Sequence, residues 1–418
     1  MEKSCLDNGI RVISEVLDHL PSVAVGIWVE NGSRYEDERL GGISHYIEHL
    51  LFKGTDRRTA TEISEEIEGV GGSLNAFTGK EHTCYYAKVL REHLPLAFDL
   101  LADIYQHSRF DPEEIERERG VILQEIAQVV DTPDEYVHDV FKANFWRGHA
   151  LARPICGSTA SVSALGRQNF LDFLRARYGT DRTVIAAAGN LSHAAFVDQV
   201  REAFAGADAR LGPVDGSPPV SHAGLVVEEK PLEQVHVCLG LPAIALTDPR
   251  RYVGFVLDTA LGGGMSSRLF QEVRERRGRA YAVHSFLSSY RDTGYLGVYA
   301  ATNPEWVREV IEVSVAELRR VATEGLKPDE LERAKNQLKG NMLLGLETST
   351  SRMHRIATCE LYFGRDIALD EVAREIEAVT NDAVVELGQE LLGGGALAGA
   401  VLGDLKGQHV DASVLGGS

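Results

Sequence analysis

The chain has 418 residues, of which 44% are hydrophobic and 25% charged, a globular composition too long for one ordinary core, so two domains are expected. Its 62 acidic against 43 basic side chains leave a net charge of −19, which argues against a nucleic-acid partner, because phosphate binding needs a basic footprint. No apolar run reaches the roughly 18 residues that span a bilayer, and residues 1–9 lack the apolar stretch of a secretory signal, so no membrane partner and a cytoplasmic location are expected.

In chain order, residues 22–29, Ser-Val-Ala-Val-Gly-Ile-Trp-Val, alternate as a strand does. Residues 45–49 then read His-Tyr-Ile-Glu-His, on a helix ending near Gly54. Imidazoles at i and i+4 project from one helix face, one turn apart, close enough to share a metal ion. Glu48 lies on that face at i+3, where it takes a proton from a metal-activated water. This H-x-x-E-H order is the inverse of the H-E-x-x-H zinc-protease pattern. Residues 71–78, Gly-Gly-Ser-Leu-Asn-Ala-Phe-Thr, read as a hairpin strand entered through a glycine turn. The following Gly79-Lys80 is no phosphate loop: Leu74 stands where Walker A requires glycine, and Glu81 where it requires Ser or Thr.

A zinc hydrolase needs three protein ligands and one open position, so a third ligand must come from another element. Asp111 and Pro112, followed by Glu113 and Glu114, start a helix with an N-cap aspartate and a first-position proline. This helix is expected to run through Ile122 to about Val129. Glu118 and Glu125, seven residues apart, lie within about 20° of each other on it, beside Val121, Ile122 and Val129. We read Glu125 as the third ligand and Glu118 as the acid that orients a ligand or assists proton transfer. The plainer alternative is a solvated acidic helix. Histidines such as His82, His93, His107 and His138 read as surface or packing residues. Cys5, Cys84, Cys156, Cys238 and Cys359 are scattered, odd in number and never spaced C-x-x-C, which argues against a disulfide framework and a cysteine zinc site and points to small, mostly buried apolar residues.

Residues 206–224, rich in Gly, Pro, Ser and Asp, read as a linker near the midpoint. Beyond it the plan repeats. Residues 234–241 alternate as a strand, and a helix ends at Gly262, Gly263 and Gly264. Residues 327–335, Lys-Pro-Asp-Glu-Leu-Glu-Arg-Ala-Lys, echo residues 111–119, Asp-Pro-Glu-Glu-Ile-Glu-Arg-Glu-Arg, with the prolines at 112 and 328, 216 residues apart. A period that long marks a duplicated domain and not a solenoid. The copy has lost the metal chemistry: Ala334 stands opposite Glu118, Asn341 opposite Glu125, and residues 254–258 read Gly-Phe-Val-Leu-Asp. The expected fold is α+β, two homologous α/β-sandwich domains over 1–210 and 223–418, joined by a linker at 211–222. Each is expected to be a mainly antiparallel sheet packed with helices.

Together these residues resemble the pitrilysin/insulinase family of inverted-motif zinc peptidases, in particular its mitochondrial-processing-peptidase-like bacterial branch, over essentially the whole chain. That family carries a glutamate ligand 76 positions after the second histidine, as Glu125 follows His49, and an acid seven residues before that ligand, as Glu118 precedes Glu125. Gly41 and Gly42 before the motif, residues 50–55 (Leu-Leu-Phe-Lys-Gly-Thr) after it, and residues 149–157 also fit, the last with no chemistry assigned.

The resemblance implies one Zn²⁺ per chain on His45, His49 and Glu125, with Glu48 as general base. It implies that Asn75, Ala76, Phe77 and Thr78 form an edge strand that pairs with an extended, unstructured peptide. In the second half, residues 274–281 read Arg-Glu-Arg-Arg-Gly-Arg-Ala-Tyr. By resemblance Arg274 and Tyr281 reach the substrate carbonyl and stabilise its oxyanion; the plainer reading is a basic surface helix ending in a core tyrosine. Relatives of this length enclose a chamber by pairing two chains, so a homodimer is expected, with pairing to a catalytically inactive homologue as the alternative. The expected activity is zinc-dependent endopeptidase action on unstructured peptides. The alternatives are a dedicated precursor-processing peptidase and a non-catalytic structural subunit, which the loss of a ligand would signal; none is lost.

Overall fold

A computed structural model describes residues 1–209 and 216–416. Residues 210–215, which fall on the expected domain end and linker, lie outside the described residues. Eleven described strands run β1 Glu2–Cys5, β2 Arg11–Val16, β3 Ser22–Val29, β4 Ser73–Thr78, β5 Thr83–Leu90, β6 Thr183–Gly189, β7 Gly224–Glu228, β8 Val235–Ala243, β9 Ala280–Ser289, β10 Gly294–Thr302 and β11 Ala398–Leu402. The helices are α1 Ile43–Leu51, α2 Ala60–Gly69, α3 Leu94–His107, α4 Pro112–Val130, α5 Pro133–Phe145, α6 Thr159–Ala164, α7 Arg167–Arg177, α8 His193–Ala203, α9 Arg251–Gly262, α10 Val307–Glu324, α11 Pro328–Leu344, α12 Ser349–Phe363, α13 Leu369–Glu377 and α14 Asn381–Gly393. Among the described residues no helix is long and apolar enough to cross a membrane.

The first compact unit holds a six-stranded sheet in the order β1-β2-β6-β3-β5-β4. Only β2 and β6 pair in parallel; the other neighbours are antiparallel. The alternating stretch at 22–29 is β3, the middle of this sheet, and its two faces serve two cores. Val23, Val25 and Ile27 pack with Ile47, Leu50 and Phe98 under α1 and α3. Ala24 and Trp28 point the other way, onto Met353, Ile356 and Leu361 of α12. Burying each of those three α12 side chains contributes about 1.5–3 kcal/mol.

In the second unit the sheet order is β7-β11-β8-β10-β9, again with one parallel pair, β7 with β11, and otherwise antiparallel neighbours. Strand for strand it repeats β2-β6-β3-β5-β4. One face is covered by Phe141, Phe145 and Val137 of α5, packed on Cys238, Tyr295, Tyr299 and Ala400. The α+β class with two mainly antiparallel sandwiches is what the sequence pattern predicts.

The boundaries at 1–210 and 223–418 need correction. Residues 128–152 belong to the second unit and residues 345–366 to the first. The reason is packing: each sheet has two apolar faces, and the helix covering one of them comes from the other half of the chain. The exchange obeys the duplication, since α4 and α11 begin at 112 and 328, and α5 and α12 at 133 and 349.

Candidate metal centre

The histidine pair sits on α1, whose start is unusual. Its N-cap, Gly42, is left-handed at φ 92° and offers no side-chain cap. The carboxylate of Glu36 supplies the missing acceptors, taking the N–H of Gly42 at 2.8 Å and of Ser44 at 2.9 Å. Glu36 is 6% exposed. Burial raises its carboxyl pKa above the ordinary value, and the bonds from Ser44 and Gly42 offset this only in part. A Cβ on Gly42 would lie 2.6 Å from the carbonyl oxygen of Cys156, and one on Gly157 2.4 Å from that of Gly41. The glycines before the motif and at the end of residues 149–157 are thus explained by one close backbone crossing.

His45 and His49 share a face of α1, their ring centroids 4.7 Å apart. The Oε2 of Glu125, brought by α4, lies 3.6 Å from Nε2 of His45 and 3.7 Å from Nε2 of His49. Ligand atoms about 2.0–2.2 Å from a tetrahedral ion stand roughly 3.3–3.6 Å from one another, so both histidine–glutamate distances are close to those of a zinc site. Among the described residues they form the one cluster of three or more His, Cys, Asp or Glu side chains whose ligand atoms converge, all within 4.8 Å. Burial, with the adjacent His49, pushes His45 down to about 4, so near neutral pH its ring is uncharged, the form that binds a metal.

Behind the two histidines stands Glu118, 3% exposed. Its Oε2 lies 2.9 Å from Nδ1 of His49 and its Oε1 2.7 Å from Nζ of Lys53. Burial alone would raise this carboxyl, but the bonds to Lys53 and His49 outweigh it and hold Glu118 below the usual carboxylate value. A carboxylate bonded to an imidazole in this way can orient the ring toward a metal ion. On the same helix face Glu48 accepts a 2.5 Å hydrogen bond from Oγ1 of Thr78. Burial raises its carboxyl, partly offset by Thr78 and by the charge of His49.

Comparison with known proteins shows the family. Residues 11–159 match the insulinase (peptidase family M16) profile, and residues 164–338 match the profile of the peptidase M16 inactive domain. The chain belongs to the M16 insulinase family. It is 44% identical over 401 residues to an uncharacterized zinc protease of Streptomyces coelicolor, covering 94% of this chain and 87% of that one. It is 39% identical over 384 residues to one of Bacillus subtilis, covering 92% and 94%. In fold it is similar to a peptidase M16 inactive domain structure from Pseudomonas fluorescens (TM-score 0.89, 19% identity, covering 96% of this chain and 97% of that one). A protease from Helicobacter pylori is similar to the same degree (TM-score 0.89, 20% identity, 96% and 99%).

The remaining expected site residues fall as follows. Asn75, Ala76, Phe77 and Thr78 lie on β4, the edge strand beside β5, so one side of their backbone has no strand neighbour in this sheet. Phe77 packs against the rings of His82, Tyr86 and His354, and the Thr78 side chain is committed to Glu48. In the second unit Arg274 lies in a π-helical turn, Phe270–Glu275, a form often found at functional sites. Its guanidinium sits 4.8 Å from the Phe270 ring and 4.9 Å from that of Tyr281. Tyr281 is 76% exposed, so it is no core tyrosine. Lys80 and Glu81, set aside as a phosphate loop, are buried, Glu81 bonded to Arg34 at 2.6 Å. Of the five cysteines, Cys84, Cys238 and Cys359 are buried, Cys156 is partly buried and Cys5 is exposed.

Sequence reasoning missed Glu36 altogether and assigned Lys53 no role. The signal for Glu36 was a glycine, Gly42, at a helix start that needs an acceptor from elsewhere. Lys53 carried none, since it meets Glu118 through the fold.

Proposed function

We propose that this protein is a zinc-dependent endopeptidase that cuts extended, unstructured peptides. The observation that carries the reading is the convergence of His45, His49 and Glu125 beside Glu48. Bound there, zinc would supply a Lewis acid for water and the scissile carbonyl. Glu48 removes a proton from the attacking water as its oxygen bonds to the carbonyl carbon, then returns that proton to the amine as the C–N bond breaks. Its raised pKa suits this two-way role, and Thr78 fixes its orientation. Glu118 holds the imidazole of His49 in register.

The peptide adds as a strand along the open edge of β4, giving main-chain bonds at Asn75 to Thr78 and a preference for unfolded substrates. Arg274 and Tyr281 are assigned to the oxyanion of the scissile carbonyl, and two chains are proposed to enclose the working chamber. Retention of every ligand speaks against a purely structural subunit.

Glu48→Gln tests the reading. Zinc content should stay at the wild-type level while hydrolysis of an unstructured peptide falls by about 10²–10⁴-fold. Turnover retained in that variant would remove Glu48 as the base.

A further inference from the structure

Glu36 does more than close a helix. Both of its carboxylate oxygens are used, Oε2 on Gly42 N–H and Oε1 on Ser44 N–H, so its position dictates that of the first turn of α1, next to His45. A carboxylate at a helix N-terminus is also favoured by the helix dipole.

The segment that carries Glu36 is itself anchored to the turn between β4 and β5. The N–H of Ser33 donates to the Gly79 carbonyl at 3.1 Å and that of Arg34 to the Lys80 carbonyl at 2.8 Å. The Arg34 guanidinium meets Glu81 at 2.6 Å. Arg153 donates at 2.5 Å to the backbone carbonyl of Glu36, and Lys80 in turn donates to the Arg153 carbonyl. That turn directly follows Thr78, which donates to Glu48 on α1. The path closes on itself: from Glu36 into α1 and Glu48, across to Thr78, along residues 79–81, and back through residues 33–36.

We propose that Glu36 is a positioning residue that registers the metal helix α1 against the substrate strand β4; the inference rests on the zinc-peptidase reading of that site. Glutamine at this position accepts through one atom only and turns its amide donor toward a backbone N–H, so one contact is lost and the first turn shifts with His45 on it.

The test uses the full chain. Zinc affinity is measured by competition with a chromophoric chelator, and ligand geometry by the visible spectrum of the cobalt-substituted protein. Val200→Ala, a truncation on α8 at a fully buried position, serves as a control for general destabilisation. Glu36→Gln should bind zinc about 10–100-fold more weakly, with an altered cobalt spectrum, while Val200→Ala keeps wild-type affinity and spectrum. Wild-type affinity and spectrum in Glu36→Gln, or an equal loss in Val200→Ala, would overturn the proposal. Should Glu36→Gln not fold, Glu36→Asp, shorter by one methylene, is read by the same criteria. If the unaltered protein binds no zinc, the zinc-peptidase reading itself falls and this inference with it, a result distinct from a zinc-binding protein indifferent to Glu36.

Discussion

The Nδ1 of His49 faces a carboxylate oxygen of Glu118 at 2.9 Å, and the other oxygen of that carboxylate meets the ammonium of Lys53 at 2.7 Å. A buried acid held between a cation and an imidazole fixes the ring so that Nε2 points toward Glu125. Removing that support should act on metal affinity before it acts on folding. Glu118→Gln is expected to weaken zinc binding by about 10–100-fold, measured by chelator competition, with secondary structure unchanged by circular dichroism. Unaltered affinity would show that His49 is oriented by other contacts.

A second expectation concerns the backbone beneath the motif. Gly42 is left-handed, and a Cβ there would stand 2.6 Å from the Cys156 carbonyl. Gly42→Ala therefore carries both a conformational and a steric penalty and should lose about 1–3 kcal/mol of stability in urea unfolding. Ala at Gly120, where a Cβ meets open space, should be neutral or stabilising. Equal behaviour of the two would contradict the crossing.

Acid should destabilise the second unit through His138 on α5. Burial, then the charges of Lys142 and His284, push this imidazole down to about 4, below its ordinary value near 6.5. The unfolded chain thus takes up a proton that the folded one refuses. Its contribution is fully present above about pH 6.5 and is lost as pH falls toward 4. Urea unfolding followed from pH 7 to pH 4 should be less pH-dependent in His138→Phe than in the unaltered protein; identical slopes would exclude this group.

Tyr281 offers an exposed phenol braced by the Arg274 guanidinium. Tyr281→Phe should lower kcat by about 10²–10³-fold, leaving zinc affinity unchanged and KM little altered. A kcat within twofold of the unaltered enzyme would end its assignment to the oxyanion.

What the sequence made legible was what repeats locally. The i, i+4 spacing of His45 and His49 and the seven-residue spacing of Glu118 and Glu125 are properties of a single helix, and each pair does share a face. The prolines at 112 and 328 mark the starts of α4 and α11 and so disclose the duplication. The exchange of α5 and α12 between units was illegible, because an amphipathic helix does not record which sheet it will cover. Glu36, Lys53 and the bond from Thr78 to Glu48 were illegible for a related reason: each joins residues distant in the chain and leaves no periodic trace. Tyr281 reads as core or surface with equal ease until the strand that carries it is seen.

The central claim is that His45, His49 and Glu125 hold the zinc that this protein needs for peptide hydrolysis. Metal analysis of the purified protein, combined with chelation and zinc reconstitution while cleavage of an unstructured peptide is followed, tests it most directly. The expected result is about one zinc per chain, loss of cleavage on chelation, recovery with zinc, and loss of both metal and cleavage in Glu125→Ala. Full cleavage by the metal-free protein, or wild-type zinc content in Glu125→Ala, would contradict it.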